Sequence, residues 1–519
     1  MRLNIVFKNA RCAVLEYMDG SIFTLGAKAQ IVVNGEPKGE TDRVIFSVHG
    51  LKPQTVYRVE LRRGEEALAA AVFTTDYEYV TLDVRDFGAR GDGKADDTPF
   101  IQAAIMACPK DSRVLIPPGE YRVVSLFLKD DVSIELEEGA HIKAFTDRTR
   151  FPVFPAMLQS YDEQEEYNLG TWEGNPLPMF SGIITGVNVK NVIIYGRGVL
   201  DGCASFEEGN WWRDHRTMKT AFRPRMIFLH HCEQVVVQGI TVQNSPAWNL
   251  HPYFSDHLRF LDLTVLNPKD SPNTDGLDPE SCRDVEIAGV YFSLGDDCIA
   301  IKSGKIYMGS RYRRPSSNIC IRQCCMRDGH GSVTIGSEMA GGVRDLVVKD
   351  CLFLNTDRGL RIKTRRGRGK DAVIEGILFD HIRMDHVMTP FVVNCFYYCD
   401  PDGYSEYVRT KEALPVDDRT PDIRSLTFRD IQADNCHVAA AYFYGLPEQK
   451  IKKIEMEHVH VTYADRPKAD IPAMMEGISP MSGRGIYANN VKLLLLKDVA
   501  IEGQEGPAVT LENIDQTGI

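Results

Sequence analysis

The stretch HLRFLDLTVLNPKDSPNTDGLDPESCRDVEIAG, residues 257–289, contains the same short apolar strand pattern twice. HLRFLD starts at residue 257 and DVEIAG at residue 284, and two further units, NICIRQ and DLVVKD, start at residues 318 and 345. Successive starts are therefore 27, 34 and 27 residues apart. Units of this length are too short for a strand followed by a long packed helix. Each suits one coil of a solenoid, in which a coil buries its face against its neighbours.

The repeat extends in both directions from this block. Similar strands start at Asn191, Gln234, Gly376, Ser425, Lys453 and Leu493. We therefore predict an all-β chain whose residues 78–519 form a right-handed parallel β-helix. A β-sandwich or a propeller is the alternative, but propeller blades need about 40 to 45 residues each, and these units are shorter and less regular.

Residues 1–77 have a different pattern of short β-rich runs separated by turns. Residues 48–75 resemble a fibronectin type III domain, which commonly carries Leu-x-Pro-x-Thr-x-Tyr before a strand, as in the LKPQTVY that starts at Leu51. The chain departs from many such domains in having no tryptophan before Trp172. We expect a small β-sandwich that acts as a spacer or docking module. Between the two parts, apolar spacing predicts a helix over residues 97–107, capped by Asp96 or Asp97.

Composition limits the classes of function. The chain has 519 residues and a net charge of −12, which argues against a general binder of nucleic acid or membrane surfaces. The first twenty residues show neither the apolar run nor the small-residue cleavage site of a signal peptide. The 13 cysteines are scattered without a CxxC pair, which predicts free buried thiols rather than disulfides or zinc. Together these observations predict a cytoplasmic protein.

Unusual polar residues recur at similar phases of four successive units. Asp275, Asp296, His330 and Arg361 lie 18, 12, 12 and 16 residues after the starts of their units. Because neighbouring rungs of a solenoid are about 4.8 Å apart, these side chains should line one surface. Asp297 and Lys363 should join them and complete a cleft for an extended polymer. The alternative is that the aspartates only cap turns at the coil corners, where Asp is common.

Four short motifs give this surface a family resemblance. NTDG (273–276), GDDC (295–298), GHG (329–331) and RIK (361–363) resemble, in order and spacing, the signature motifs of the polygalacturonases, glycoside hydrolase family 28. The resemblance covers the chain from about residue 80 to near the C-terminus. It implies hydrolysis of α-1,4 bonds between galacturonic acid residues of pectic oligosaccharides, with no metal and no cofactor.

The resemblance also implies roles for individual residues. Asp296 would be the general acid, while Asp275 and Asp297 would hold and activate water, giving inversion at the anomeric carbon. Crowding of the carboxylates would keep a proton on the acid, and His330 would tune its protonation. The expected substrate-binding residues are Asn273, Arg361, Lys363 and Arg366. The basic run from Arg365 to Lys370 is either a solvated loop or a patch that binds polyanionic pectin.

Three features favour exo action from the non-reducing end. Residues 335–343 and the fibronectin-like domain look like the exo-acting bacterial branch of the family. The insertion at residues 156–180 could wall off one end of the cleft, and a cytoplasmic enzyme would meet short oligosaccharides. Three alternatives stay open: a hydrolase of rhamnogalacturonan or substituted galacturonan, a calcium-dependent lyase on the same fold, and a non-catalytic β-helix that binds acidic glycans.

Overall fold

The computed structural model describes residues 2–159, 166–213, 215 and 222–518. Over these residues the chain forms two parts, a sandwich of antiparallel sheets and a solenoid of parallel strands. The parallel β-helix predicted from the repeats is therefore confirmed. No helix in this part of the chain is both long and apolar enough to cross a membrane.

The sandwich comprises the strands before residue 75. One sheet has, in order, Arg2–Lys8, Ala13–Met18 and Ile45–Val48. The other has, in order, Glu36–Arg43, Thr24–Val33, Val56–Arg63 and Glu66–Thr74. Leu15, Phe46 and Leu61 are buried in the core between the two sheets. The division of the chain into domains 1–77 and 78–519 stays a prediction about which parts fold independently.

The solenoid has three parallel ladders of strands, one on each face. Ladder one contains Thr81–Asp83, Arg113–Ile116, Val132–Leu136, Lys190–Gly196, Glu233–Gln238, Asp256–Leu261, Arg283–Ala288 and Ser316–Arg322. Ladder two contains Asp92–Asp96, Gly119–Val123, Ala140–Ala144, Val199–Asp201, Thr241–Gln243, Thr264–Leu266, Tyr291–Ser293 and Cys325–Arg327. In later coils, single strands run through both ladders: Val343–Leu354, Val373–Asp385, Ser425–Cys436, Ile451–Tyr463 and the later part of Arg484–Glu502.

The third face, which we call the cleft ladder, carries the motifs. Its strands are Leu126–Phe127, Ile184–Val187, Ile227–His230, Leu250–Tyr253, Ile299–Ile301, Val333–Gly336, Arg358–Lys363, Thr389–Asn394, Ala439–Tyr444, the start of Arg484–Glu502, and Val509–Gly518. Single bridges from Leu277 and Glu280 to their neighbours fill the rung between Leu250–Tyr253 and Ile299–Ile301.

Each coil turns sharply between ladders one and two through a single left-handed residue. Asp262, Gln323 and Asp350 have φ of 50°, 46° and 54° at this corner, and Gly289 has 70°. Gly, Asn and Asp reach this conformation more readily than other residues. The need for such a residue in every coil explains why the strand repeats end so often in Asp, Gly or His.

Apolar side chains from the three ladders meet inside each coil. In one coil, Val285 and Ile287 from ladder one, Phe292 from ladder two and Ile299 from the cleft ladder are all at most 2% exposed. Burying each such side chain stabilises the fold by about 1.5–3 kcal/mol. Strand alternation then sends the intervening side chains outward, and on the cleft ladder these form the floor of the cleft.

The predicted helix is confirmed as Thr98–Ala107, with Ile101 and Ile105 buried against the first coils. Of the two predicted caps, Asp96 accepts a bond from the backbone N–H of Thr98 at 3.0 Å. The side chain of Asp97 instead holds the preceding loop. The other helical segments are short: Val84–Phe87, Arg148–Arg150, Ile306–Tyr312, Pro401–Tyr404 and Glu406–Arg409.

The sandwich docks on the corner between ladders one and two, away from the cleft ladder. Ile45 packs with Leu261 and Ala288, and a side chain at Gly289 would approach Ile45 to 2.7 Å. Ser47 donates a hydrogen bond to the carboxylate of Asp262 at 2.5 Å. Burial raises the pKa of Asp262 to about 6. An acidic group beneath the sandwich therefore resists ionisation.

We expect Asp262→Asn to stabilise the protein near neutral pH. The pKa of Asp262 is raised in the folded state, so the free energy of unfolding falls as pH rises from about 4 through about 6. Removing the charge should recover about 1–3 kcal/mol above pH 6.5 and almost nothing near pH 4. Thermal unfolding of both proteins at several pH values measures this difference. Asp345→Asn, at an exposed left-handed position, is the matched control for the exchange of Asp for Asn.

Candidate active site

The motif residues meet where successive coils enter the cleft ladder. Asp275 comes just before the rung at Leu277, Asp296 and Asp297 just before Ile299–Ile301, and His330 just before Val333–Gly336. The adjacent rung, Arg358–Lys363, contributes Arg361 and Lys363, whose alternating positions send both side chains outward. The strand register thus brings four separate motifs to one point.

Three carboxylates form the centre of the site. Asp275, Asp296 and Asp297 each place an oxygen within 4.8 Å of the other two. Their side chains are 6%, 21% and 1% exposed, so Asp296 is the most open to the cleft. Gly295 allows this arrangement because a Cβ there would lie 2.3 Å from the carbonyl oxygen of Ser271. Close approach of the backbone, and not a left-handed conformation, requires this glycine.

Asp297 is held by two cations. Lys363 donates to one carboxylate oxygen at 2.8 Å and Arg361 to the other at 3.1 Å. Burial opposes ionisation, but Lys363 and Arg361 outweigh it and hold the pKa of Asp297 well below its usual range. Asp297 is therefore ionised at neutral pH.

His330 and Asp296 form the exposed edge of the cluster. Nδ1 of His330 lies 3.2 Å from an oxygen of Asp296, and the backbone N–H of Asp297 donates to that oxygen at 2.9 Å. Burial favours the neutral acid, but the hydrogen bond and charge of His330 outweigh it and lower the pKa of Asp296. In return, the hydrogen bond to Asp296 raises the pKa of His330.

Asp275 is the carboxyl group that retains a proton most readily. Burial, followed by the charge of Asp296, raises the pKa of Asp275 well above its usual value. The sequence predicts that crowding keeps the proton on Asp296, whereas in the structure the pKa of Asp275 is raised and that of Asp296 is lowered. The physical reason is that Asp296 faces water and His330, whereas Asp275 faces the protein interior. Groups this close titrate as one cluster, so the proton is shared among them.

The carboxylate cluster does not fit a metal ion. Two cations occupy the oxygens of Asp297, and Nζ of Lys302 lies 3.7 Å from an oxygen of Asp275. A divalent cation among these oxygens would meet three positive side chains at close range, and their repulsion would offset its attraction to the carboxylates.

Arg366 does not reach the cleft, so its predicted role in substrate binding is wrong. It is 1% exposed, pairs with Glu448 at 2.9 Å, and donates to backbone carbonyls of the 407–412 segment. Arg365 and Arg368 are also buried, beside Asp400. The three arginines of the basic run are therefore neither solvated nor available to pectin, whereas Lys370 is exposed. The arginines hold the 396–418 segment on the solenoid.

Asn273 lies beside the cluster but is already engaged. Its side-chain oxygen accepts a hydrogen bond from Arg223 at 2.7 Å. Arg223 also donates to the carbonyls of Pro246 and Pro272. Asn273 therefore orients Arg223 at the edge of the cleft in this structure.

The sequence reasoning missed three buried charged groups next to the cluster. Asp278, Lys302 and Glu338 are all at most 6% exposed, and Nζ of Lys302 lies 3.4 Å from Glu338. Burial opposes ionisation of Glu338, but the charges of Lys302 and three further cations together outweigh it and lower the pKa of Glu338 to about 2. One signal was available: a lysine follows directly on the apolar strand Ile299–Ile301, at a position whose side chain faces outward.

The insertion expected to form a wall covers one end of the cleft ladder. Residues 160–165 of it lie outside the described residues. The rest forms three short antiparallel pairs: Val153–Phe154 with Met179–Phe180, Met157–Gln159 with Glu166–Asn168, and Thr171–Trp172 with Asn175–Pro176. The ring of Trp172 stacks on Trp248 at 5.0 Å and 16°. Gly174 lies against the backbone of Gly304 and Lys305.

Comparisons with known proteins agree with this geometry. Residues 162–479 match the family Glycosyl hydrolases family 28. Residues 81–135, which precede the site, match Rhamnogalacturonase A/epimerase, pectate lyase-like. The chain is 29% identical over 445 residues to a probable polygalacturonase of Vitis vinifera, covering 82% of this chain and 84% of that protein. It is 24% identical over 442 residues to an exo-poly-alpha-D-galacturonosidase of Dickeya chrysanthemi, covering 75% and 69%.

An endo-polygalacturonase of Pectobacterium carotovorum subsp. carotovorum is also similar, at 29% identity over 378 residues that cover 70% of this chain and 84% of that protein. Identity alone therefore does not separate exo from endo relatives. Among solved structures, a family 28 exopolygalacturonase of Yersinia enterocolitica superposes with a TM-score of 0.70 at 18% identity, covering 99% of this chain and 98% of that one. At this identity the likeness shows the shared fold.

We expect His330→Gln to shift the pH dependence of activity upward. Loss of the imidazolium removes the group that lowers the pKa of Asp296, so the apparent pKa of the carboxylate cluster should rise. The amide can keep a hydrogen bond to Asp296 but carries no charge, so kcat at the pH optimum of the wild type should fall. Profiles of kcat/KM against pH for both enzymes measure the shift. A lower rate with an unchanged profile would show that His330 only supports the structure.

Proposed function

The chain belongs to glycoside hydrolase family 28, and we propose that it hydrolyses α-1,4 bonds between galacturonate residues of pectic oligosaccharides, one terminal residue at a time from the non-reducing end and with inversion. The observation that carries this proposal is the cluster of three carboxylates beside Arg361 and Lys363 in a cleft with one covered end. The acids supply the chemistry of glycoside hydrolysis, and the cations suit a uronate substrate.

The proposed mechanism divides the carboxylates by their protonation. Asp296, the most exposed of the three, protonates the glycosidic oxygen as the bond to the anomeric carbon breaks. Asp297 is ionised and accepts a proton from the attacking water, which Asp275 helps to hold. A sugar over the cluster would exclude water from Asp296 and raise its pKa. This change would move the shared proton from Asp275 towards the leaving oxygen.

The covered end of the cleft supports exo action. The insertion lies over the cleft ladder around Phe228, His251 and Tyr253, where Trp172 and Trp248 stack. A wall in this position would limit the space beyond the carboxylates to the end of a chain. The rest of the chain would extend past Arg361 and Lys363 on the other side.

The proposed location is the cytoplasm or another reducing compartment. All 13 cysteines are free thiols, and most of them are buried. Reduced cysteines are usual where glutathione and thioredoxin maintain thiols.

We expect Asp296→Asn to lower the rate of reducing-sugar release from oligogalacturonides by a factor of about 10³ or more, because the amide cannot donate the required proton. Asp328→Asn is the matched control: Asp328 lies at a nearby corner with φ of 63°, which Asn tolerates. Survival of activity in Asp296→Asn would show that the acid is another residue. An unsaturated product, visible by its near-ultraviolet absorbance, would identify a lyase instead.

We expect galacturonate to accumulate from the first minutes of digestion of oligogalacturonides labelled at the reducing end. The labelled chains should shorten stepwise by one residue, whereas an early spread of internal fragments would rule out exo action. Proton NMR of the first product should show the β-anomer. This second readout matters because carboxylate oxygens within 4.8 Å are closer than the about 6.5–9.5 Å common in inverting enzymes. Initial release of the α-anomer would establish retention.

A further inference from the structure

We propose that Lys302 binds the carboxylate of the non-reducing terminal galacturonate and so selects a uronate at the covered end of the cleft. This inference rests on the proposed function and assigns a specificity residue to its first sugar position. Lys302 lies outside the four signature motifs, in the sequence IAIKSG. Four features of the structure support it: position, weak internal pairing, neighbouring polar atoms and the adjacent wall.

The strand register places Lys302 on the rung that follows Asp296 and Asp297, nearer to the wall than Lys363. Glu280 bridges to Lys302, and Ile301 pairs with Ile335, so the next position after Lys302 in its row is Gly336, which pairs with Lys363. The two lysines are therefore two rungs, or about 10 Å, apart along one row of outward-facing positions. Lys302 neighbours Asp275, and Lys363 contacts Asp297. Lys302 is thus the cation nearer to the covered end of the cleft, and Lys363 is the one nearer to the open end.

Lys302 has no tight ionic partner in the described part of the chain. Its Nζ is 3.4 Å from Glu338 and 3.7 Å from Asp275, whereas a charge-assisted bond is usually about 2.7–2.9 Å long. By contrast, Lys363 lies 2.8 Å from Asp297. The ring of Trp248 covers one side of the Lys302 ammonium, at 4.2 Å from its centroid. A buried ammonium so loosely held retains hydrogen-bonding capacity for a ligand.

Buried polar atoms without a protein partner cluster around Lys302. Among the described residues, they include both carboxyl oxygens of Asp278, Oδ1 of Asp275 and Oγ1 of Thr334. Buried polar groups in native proteins are normally hydrogen-bonded, so these atoms indicate a polar occupant. Small residues lie between them on the floor, since Ala300 separates Asp278 from Thr334 in the register. A sugar ring could lie here with its hydroxyls and carboxylate satisfied.

The protonation of the surrounding acids favours an anionic ligand. Burial raises the pKa of Asp278 well above its usual range, so Asp278 can be a neutral donor to the sugar. Burial disfavours the charged form of Lys302, but Glu338 and its other acidic neighbours outweigh this and raise the pKa of Lys302. Beyond Lys302, Trp172 and Trp248 close the floor, so the residue bound here is the last of its chain.

The test compares two substrates that differ only in this carboxylate. They are digalacturonate and the disaccharide in which the non-reducing residue is galactose. Wild type should prefer digalacturonate about 100-fold, the order expected for a buried charge pair. Lys302→Met should lose that preference, because the rate on the acid falls while the rate on the galactose analogue is nearly unchanged. Lys302→Arg should recover part of the preference. Lys349→Met, on ladder one far from the cleft, should match wild type.

Several outcomes would overturn the inference. If Lys302→Met lowers the rates on both substrates by the same factor, Lys302 only maintains the structure of the site. If the preference for digalacturonate survives in Lys302→Met, another group binds the carboxylate. If wild type cleaves neither substrate nor longer oligogalacturonides, the proposed function itself fails. Should Lys302→Met not fold, a crystal structure of wild type with galacturonate decides the question. The carboxylate should lie about 3 Å from Nζ of Lys302, and any other placement refutes the assignment.

Discussion

The in-register stacking of the cleft ladder is the constraint on which the rest of this structure depends. Leu277, Ile299, Val333 and Leu360 follow one another at the same position of successive rungs, and all are fully buried. A slip of one residue in any rung would turn these side chains into the cleft and bury their polar neighbours. Hydrophobic burial in the solenoid interior therefore fixes the positions of the acids and cations on the floor.

This rigid floor allows charges to be held where isolated charges would be unfavourable. Asp297 is nearly inaccessible, yet it stays ionised because Arg361 and Lys363, on a single strand two rungs further along, reach it at hydrogen-bonding distance. Among the described residues, the nearest cation to Asp275 is Lys302 at 3.7 Å, and burial raises the pKa of Asp275. Two carboxyl groups within the same cluster thus acquire opposite protonation states from their neighbours alone. Asp296 lies at the solvent-exposed edge of the cluster, so a bound ligand can change its protonation state more than that of the other two carboxyl groups.

The fold and the centre of the site could be predicted from the sequence because both recur in it. The left-handed corners leave Asp, Gly or His at the ends of strand patterns, and the catalytic candidates flank strands of the same ladder. Contacts made by irregular segments do not follow the repeat and could not be predicted from it. The burial of Arg366 depends on Glu448, which is 82 residues away in the chain. The raised pKa of Asp275 depends on burial, and the motif NTDG does not indicate how deeply this residue is buried. Lys302 was visible as a lysine directly after an apolar strand, but its relation to the wall required the folded insertion.

The hairpin formed by Thr171–Trp172 and Asn175–Pro176 makes the number of chain ends, and not the mass of pectin, the measure of available substrate. A cleft blocked at one end engages chain termini, so a long polymer and a short oligomer each present one site of attack. The turnover of a given mass of pectin then depends on how many pieces it has been cut into. For an equal mass of pectin, such an enzyme therefore works faster on fragments than on intact polymer. Any activity that cleaves the chains internally increases the number of chain ends and so the concentration of substrate.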